Sequence, residues 1–385
     1  MRGLLLFGDT ERSAALRHEI PLAITDPMLF AEVDGRRVVL TSWLERDRLT
    51  RALPDAEALD FFDFGWKELV EGGMSFAEAE REAVTRAVRR IGIDEAIVPG
   101  DFPLALGDRL RDDGIVLTVD DDAVELRRRA KSVVELDGIC TAQRAAEAGM
   151  TAARGLRSHA RPSDDGRLHL DGKQLLAEDV RATLRAACAE QGAPCPPEVI
   201  VASAWNGNGH EPGSGPLPSG LPIVVDIWPR HEASGCWADM TRTFVVGTPA
   251  PDNADLITEH ARIVQTALER AKAAIRPGIS GRELFDLACD LFEAEGQLTQ
   301  RTAQREGEVE GFQFSLGHGV GLQVHESPKL GLAGRDALVA GDVVAIEPGL
   351  WNSRIGEVRV EDLALVTEHG CETLTRFPYD IAPST

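Results

Sequence analysis

The sequence predicts two domains: a small mixed-sheet α/β domain over residues 1–122 and a larger α+β domain over residues 123–385. Three observations predict this. At 385 residues the chain is longer than one ordinary hydrophobic core serves. Up to about residue 122, strand-like and helix-like segments alternate, with no cluster of reactive side chains among them. Beyond it, four acidic residues end or interrupt apolar alternating runs, in two pairs of nearly equal spacing. The larger domain therefore reads as two strand hairpins of one design, a pseudo-twofold repeat.

In the first domain, Met28–Val33 and Arg37–Leu40 flank Asp34-Gly35, a tight-turn signal that makes the two runs a hairpin. Leu59–Phe64 reads as another strand. Ser75 with Glu78 three residues on forms a capping box for a helix running to Arg90. Ala96–Val98 and Ile115–Val119 read as buried strands around a short helix near Pro103–Leu110. No phosphate-binding glycine fingerprint is present. The domain reads as structural, and as the oligomer-forming part of a homodimer.

Asp120-Asp121-Asp122 marks the boundary. A long helical pattern follows from Ala123 to about Leu156, then a surface loop or hairpin over Arg157–Gly172 and a helix over Lys173–Gln191. Pro194, Pro196 and Pro197 separate that helix from the strand Val199–Ala202. Ser203–Gly220, rich in Gly, Pro, Ser and Asn and carrying His210, is a loop long enough to be functional. Helices are expected over Asn253–Ile275 and Ser280–Glu295, and an irregular tail holds the only tyrosine, Tyr379.

The net charge of −22 argues against nucleic acid and against anionic membrane surfaces, since like charges repel. No apolar run approaches the ~20 residues that span a bilayer. Leu4–Phe7 is far shorter than a signal-peptide core. Six cysteines with no Cys-x-x-Cys pair fit a cytoplasmic protein with reduced thiols.

The chemistry lies in four acids and the histidines near them. Asp226 sits in Ile223–Ile227, and Asp239 opens the run to Val246, thirteen residues later. Glu347 ends one apolar run and Glu361 lies in Val358–Asp362, fourteen residues apart. Carboxylates on such runs need a positive partner to offset their desolvation. Gly317, Gly319 and Gly321 around His318 allow close approach of backbone or ligand. Hard oxygen donors with one imidazole suit a pair of Mn²⁺, Co²⁺ or Zn²⁺ ions.

The series Asp226, Asp239-x-Thr-Arg-Thr, Gly-His318-Gly-x-Gly-Leu, His325-Glu, Glu347-Pro-Gly and Arg359-x-Glu361-Asp resembles the pita-bread metallopeptidases. That group includes aminopeptidase P, prolidase, creatinase and, more distantly, methionine aminopeptidase. The resemblance covers about residues 123–375, and the preceding α/β domain agrees with its prolidase, aminopeptidase P and creatinase branch. It implies a pita-bread catalytic domain with two divalent ions, Mn²⁺ first and Co²⁺ or Zn²⁺ as alternatives. Asp226 would bind one ion, His318 and Glu347 the other, and Asp239 and Glu361 would bridge both. The implied activity is a two-metal exopeptidase that hydrolyses Xaa-Pro bonds of short peptides through a metal-bridging hydroxide. Glu347 would move the proton, His325 would stabilise the oxyanion, and His210 would hold the substrate. Arg359 would orient a bridging carboxylate or meet a substrate carboxylate. The chain departs from the family pattern at Trp228, in the turn after the first aspartate. Trp237 and Trp351 stand where tyrosines are usual, and they join Arg359 as expected substrate-binding residues. The alternatives are a dinuclear-metal hydrolase of another small amide, a metal-free creatinase-like enzyme, and a non-catalytic binding homologue.

Overall fold

The computed structural model describes residues 1–207, 210–303, 310–379 and 381. The chain divides into two compact units, Met1–Arg128 and Arg129–Thr385.

The first unit is built on a six-stranded mixed sheet. Its strands run in the order Ala56–Asp60, Arg36–Thr41, Met28–Val33, Arg2–Gly8, Glu95–Val98, Val116–Val119. Asp34 and Gly35 both take positive φ, 51° and 76°, which is the turn that matches the twist of a two-residue hairpin. Because successive side chains point to opposite faces, Leu5, Leu29 and Ala31 enter one core, while Leu6, Met28 and Phe30 enter the other. The capping box Ser75/Glu78 starts the helix Phe76–Ile91, and left-handed Gly92 ends it. The expected strand Leu59–Phe64 stops at Asp60. There the Asp60 carboxylate accepts the Phe62 N–H and turns Phe61–Phe64 into a single 3₁₀ turn.

The long helical pattern expected from Ala123 is interrupted, giving helix Asp121–Arg129, which but for its last residue belongs to the first unit, and helix Val133–His159 in the second. Ser132 breaks it, because its hydroxyl and the Glu135 carboxylate form a capping box that starts a new helix. Helices Ala177–Glu190, Pro251–Ala274 and Gly281–Ala294 fall where expected to within a few residues. They cover two antiparallel sheets. One has the order Ile200–Ala202, Pro222–Ile227, Met240–Val245. The other has the order Glu326–Leu330, Gly317–Gly319, Val343–Ile346, Asp362–Val366, Cys371–Thr373. The C-terminal segment is irregular but held: Tyr379 Oη donates to Asp362 Oδ2 at 2.5 Å, and its ring lies under the buried Arg242 guanidinium. No helix among the described residues is long and apolar enough to cross a membrane.

Candidate metal centre

Strand ends from the two sheets bring the site together. In the first hairpin Asp226 lies opposite Thr241. Side chains alternate along a strand, so Asp239, Thr241 and Thr243 share the face of Asp226. In the second sheet Ile346 pairs with Asp362, which leaves Glu347 and Glu361 facing each other just past the ladder. The hairpin Gly349–Asn352/Gly356–Arg359 loops out between them. Of the four acids, only Asp226 lies within a strand; the other three stand one residue beyond a strand end. Side-chain bonds tie the halves together. Thr241 Oγ1 donates to Glu361 Oε2 at 2.8 Å, and Thr243 Oγ1 donates to Arg359 O at 2.7 Å while accepting the Arg359 N–H at 2.9 Å.

His318 occupies the short strand between two partners. A Cβ on Gly317 would collide with Ala345 O, and one on Gly319 with Ser327 O, so only glycine lets these strands close around the histidine. His318 Nε2 points at Asp239 Oδ2, 3.7 Å away, and at Glu347 Oε1, 3.6 Å away. Three groups each offer ligand atoms within 4.8 Å of one another: Asp226, Asp239 and Glu361; His318, Glu347 and Glu361; and Asp239, His318 and His325. The His325 ring meets the His318 ring edge-on, with centroids 4.3 Å apart. All five expected ligands, with His325, His210 and Arg359, line one cavity of about 330 Å³. A larger groove of about 1020 Å³ runs along Pro251–Ala274, but among the described residues it holds no such convergence of carboxylates and imidazoles.

The charges explain what this arrangement needs. Burial, and then repulsion among the acids, push the carboxyls of Asp239 and Glu361 far above the usual carboxylate range. Glu347 keeps 17% of its side chain open to the cavity but is otherwise enclosed. Burial raises its pKa to about 8 even though Arg359 pulls the other way. Burial also lowers His318 to about 3, with His325 adding to the effect, so the imidazole is neutral and free to act as a ligand. His325 is lowered as well, by burial first and then by Lys329 and His210. Arg359 is the cation within the cluster: Nη2 donates to Asp226 at 2.8 Å, Nη1 lies 3.7 Å from Glu347, and Nε lies 3.7 Å from Glu357. One guanidinium cannot balance five carboxylates. Oxygen donors joined by a neutral imidazole fit divalent cations, and the donor set can hold two.

The aromatic residues fall differently from expectation. Trp228 lines the cavity, whereas Trp237 and Trp351 are not among its lining residues. The Trp237 backbone N–H donates to Gly321 O at 2.8 Å, and its ring lies beside the Arg230 guanidinium rather than on the cavity wall. Trp351 pairs with Glu357 across the second hairpin and faces a crevice of about 10 Å³ beside the main cavity. Arg359 turns its nitrogens to the protein's own carboxylates, which leaves it oriented toward Asp226 and Glu347 rather than outward. Glu357, buried beside Arg359, was not anticipated. Its place two residues before Arg359 and four before Glu361, on the same strand face, was the available signal.

Residues 137–368 match the sequence profile of metallopeptidase family M24. Over 154 residues the chain is 37% identical to the Xaa-Pro dipeptidase of Pyrococcus furiosus, a stretch covering 40% of this chain and 39% of that protein. It is 29% identical over 290 residues to a probable dipeptidase, PepE, of Mycobacterium tuberculosis, covering 74% of this chain and 68% of that one. The match thus spans about two fifths of the length of the first of these relatives and about two thirds of the second. The fold superimposes on the Xaa-Pro dipeptidase from Bacillus anthracis with a TM-score of 0.77 at 23% identity, covering 99% of this chain and 95% of that one. It also superimposes on aminopeptidase P from E. coli, with a TM-score of 0.70 at 18% identity over 97% of this chain and 90% of that one. At such identities these structures speak for the fold: a mixed α/β N-terminal domain followed by the antiparallel-sheet pita-bread domain.

Proposed function

This chain belongs to metallopeptidase family M24, and from that premise we propose that it is a two-metal exopeptidase cleaving the bond before proline in short peptides. One observation carries the reading. Asp226, Asp239, His318, Glu347 and Glu361 converge in one cavity, and burial and mutual repulsion disfavour the ionised form of Asp239 and Glu361 unless further cations are present. A metal-free enzyme or a binding protein of this fold has no need for such a set.

In this reading Asp226 would hold one ion, His318 and Glu347 the other, and Asp239 and Glu361 would serve both. The donors are mainly hard oxygens, which favours Mn²⁺, with Co²⁺ or Zn²⁺ as alternatives. When bound, the ions supply Lewis acidity, which polarises the scissile carbonyl and lowers the pKa of water. Glu347, which faces the cavity, would take a proton from the attacking water and return it to the leaving amine. His325, neutral and open to the cavity, donates an N–H to the carbonyl oxygen as negative charge develops there. His210, which also lines the cavity, would hold the substrate. Arg359 keeps Asp226 and Glu347 in place.

The cavity's 330 Å³ lies at the small end of ligand sites, which favours dipeptides. Ile200, Trp228 and Val324 give it apolar walls, so an apolar first residue is preferred. The names of the relatives support Xaa-Pro as the bond. The six cysteines are free thiols, in keeping with a cytoplasmic setting. The test is the metal-reconstituted protein assayed on Xaa-Pro dipeptides, Xaa-Pro tripeptides and Met-starting peptides. Release of proline from Leu-Pro or Met-Pro is expected to be fastest. Hydrolysis of another amide with no cleavage before proline would leave only a two-metal hydrolase.

A further inference from the structure

Lys131 and Glu326 form an ion pair in direct contact, each with its side chain only 2% exposed. A pair so thoroughly removed from water is a costly way to gain stability alone, because desolvation offsets much of its attraction. Its surroundings indicate what it does. Glu326 directly follows His325, and its other carboxylate oxygen accepts the Gln323 N–H at 3.3 Å. The loop that carries His325 is closed on itself as well: the Gly321 N–H donates to Gln323 O at 3.0 Å. Gly321 is glycine for a steric reason, since a Cβ there would meet Glu326 Oε1 and would sit 3.0 Å from Lys131 Nζ.

The other end of the pair is equally fixed. The Lys131 N–H donates to Gly341 O at 3.3 Å, and the next residue is Ser132, the N-cap of the helix Val133–His159. Arg129, two residues earlier, binds the fully buried Asp342 through Nε at 3.0 Å and Nη2 at 2.5 Å. Lys131 thus projects from an anchored backbone to Glu326, the residue that follows the bend 321–325, whose last residue, the exposed His325, lines the cavity.

We propose that Lys131 and Glu326 are positioning residues, an ion pair that sets where the His325 imidazole stands. This rests on the reading of His325 as a substrate-facing group. Neither side chain lines the cavity, and both act through the loop.

The test uses zinc-loaded protein with ¹⁵N-labelled histidine, in which the ring signals of His325 are identified by their loss in His325→Ala. The charge-neutral double variant Lys131→Met/Glu326→Gln is expected to keep its zinc and to unfold cooperatively. Its His325 signals are expected to shift or broaden. Its kcat is expected to fall by up to about 10²-fold, as a misplacement of ~1 Å can cause, with KM little changed. Combined with His325→Ala it should add no further loss. Glu326→Asp keeps the charge but shortens the reach by one methylene, and it should displace the signals too; Lys131→Arg should preserve them. Unchanged His325 signals in both the double variant and Glu326→Asp would overturn the proposal, as would a loss that adds in full to that of His325→Ala. If His325→Ala itself keeps wild-type kcat, the substrate-facing reading of His325 fails, and the ring signals still decide whether the pair positions it.

Discussion

Asp239 and Glu361 are the residues on which the charge balance of the site turns. Each is buried and close to the other acids, and each appears in two or more of the possible ligand contacts. If both serve two ions, Asp239→Asn and Glu361→Gln each lose both metals, while His318→Ala loses mainly one. Elemental analysis of the purified variants measures this, and full occupancy in Asp239→Asn would remove the bridging assignment. His325 and His210 should behave in the opposite way. His325→Ala and His210→Ala should keep their metal and lose about 10²–10³ in kcat, the usual cost of one donor to a developing oxyanion. Wild-type turnover in either would make that histidine a bystander. The acids were legible in the sequence because charge inside an apolar run is conspicuous. The tryptophans were not, because sequence places Trp237 and Trp351 near the ligands but says nothing of which way they turn. In the fold the Trp237 ring lies beside the Arg230 guanidinium, and Trp351 faces the crevice it shares with Glu357.

At the scale of elements, the site is a seam between two sheets. Thr243 spans it, bonded to both the N–H and the C=O of Arg359 at full burial. Thr243→Val keeps the shape but leaves both backbone groups unpaired. It is expected to cost roughly 1–3 kcal/mol of stability, read from the urea midpoint, with metal content unchanged. A midpoint equal to wild type would show that the seam is held elsewhere. Hairpin spacing in the sequence revealed that the acids come in facing pairs, and Asp34-Gly35 revealed the first domain's hairpin. Strand ends were less legible. Leu59–Phe64 has a strand's composition, yet Asp60 captures the Phe62 N–H and ends the strand early. Similarly, Ser132 divides a helical pattern that reads as continuous, because a capping box outcompetes periodicity.

For the whole molecule, the site makes stability depend on metal and pH together. Asp239, Glu347 and Glu361 have folded-state pKa values above the ordinary ones, so the metal-free folded protein holds more protons than the unfolded chain. Their contribution to stability is complete below about 4.5 and is lost as pH rises toward the value of about 8 for Glu347. The melting temperature of metal-free protein should therefore fall across that window relative to metal-loaded protein, whose carboxylates are neutralised by cations. Parallel pH profiles of the two forms would contradict this.

The central claim is that these carboxylates and His318 hold ions that let the protein cut before proline. Proline release from Leu-Pro, followed as metal is added back to chelated wild type and to Asp239→Asn, tests it most directly. Activity should rise with metal in the wild type to a plateau near two ions per chain and stay at background in Asp239→Asn. Wild-type protein carrying both ions yet releasing no proline, or Asp239→Asn releasing it at the wild-type rate, would contradict the account.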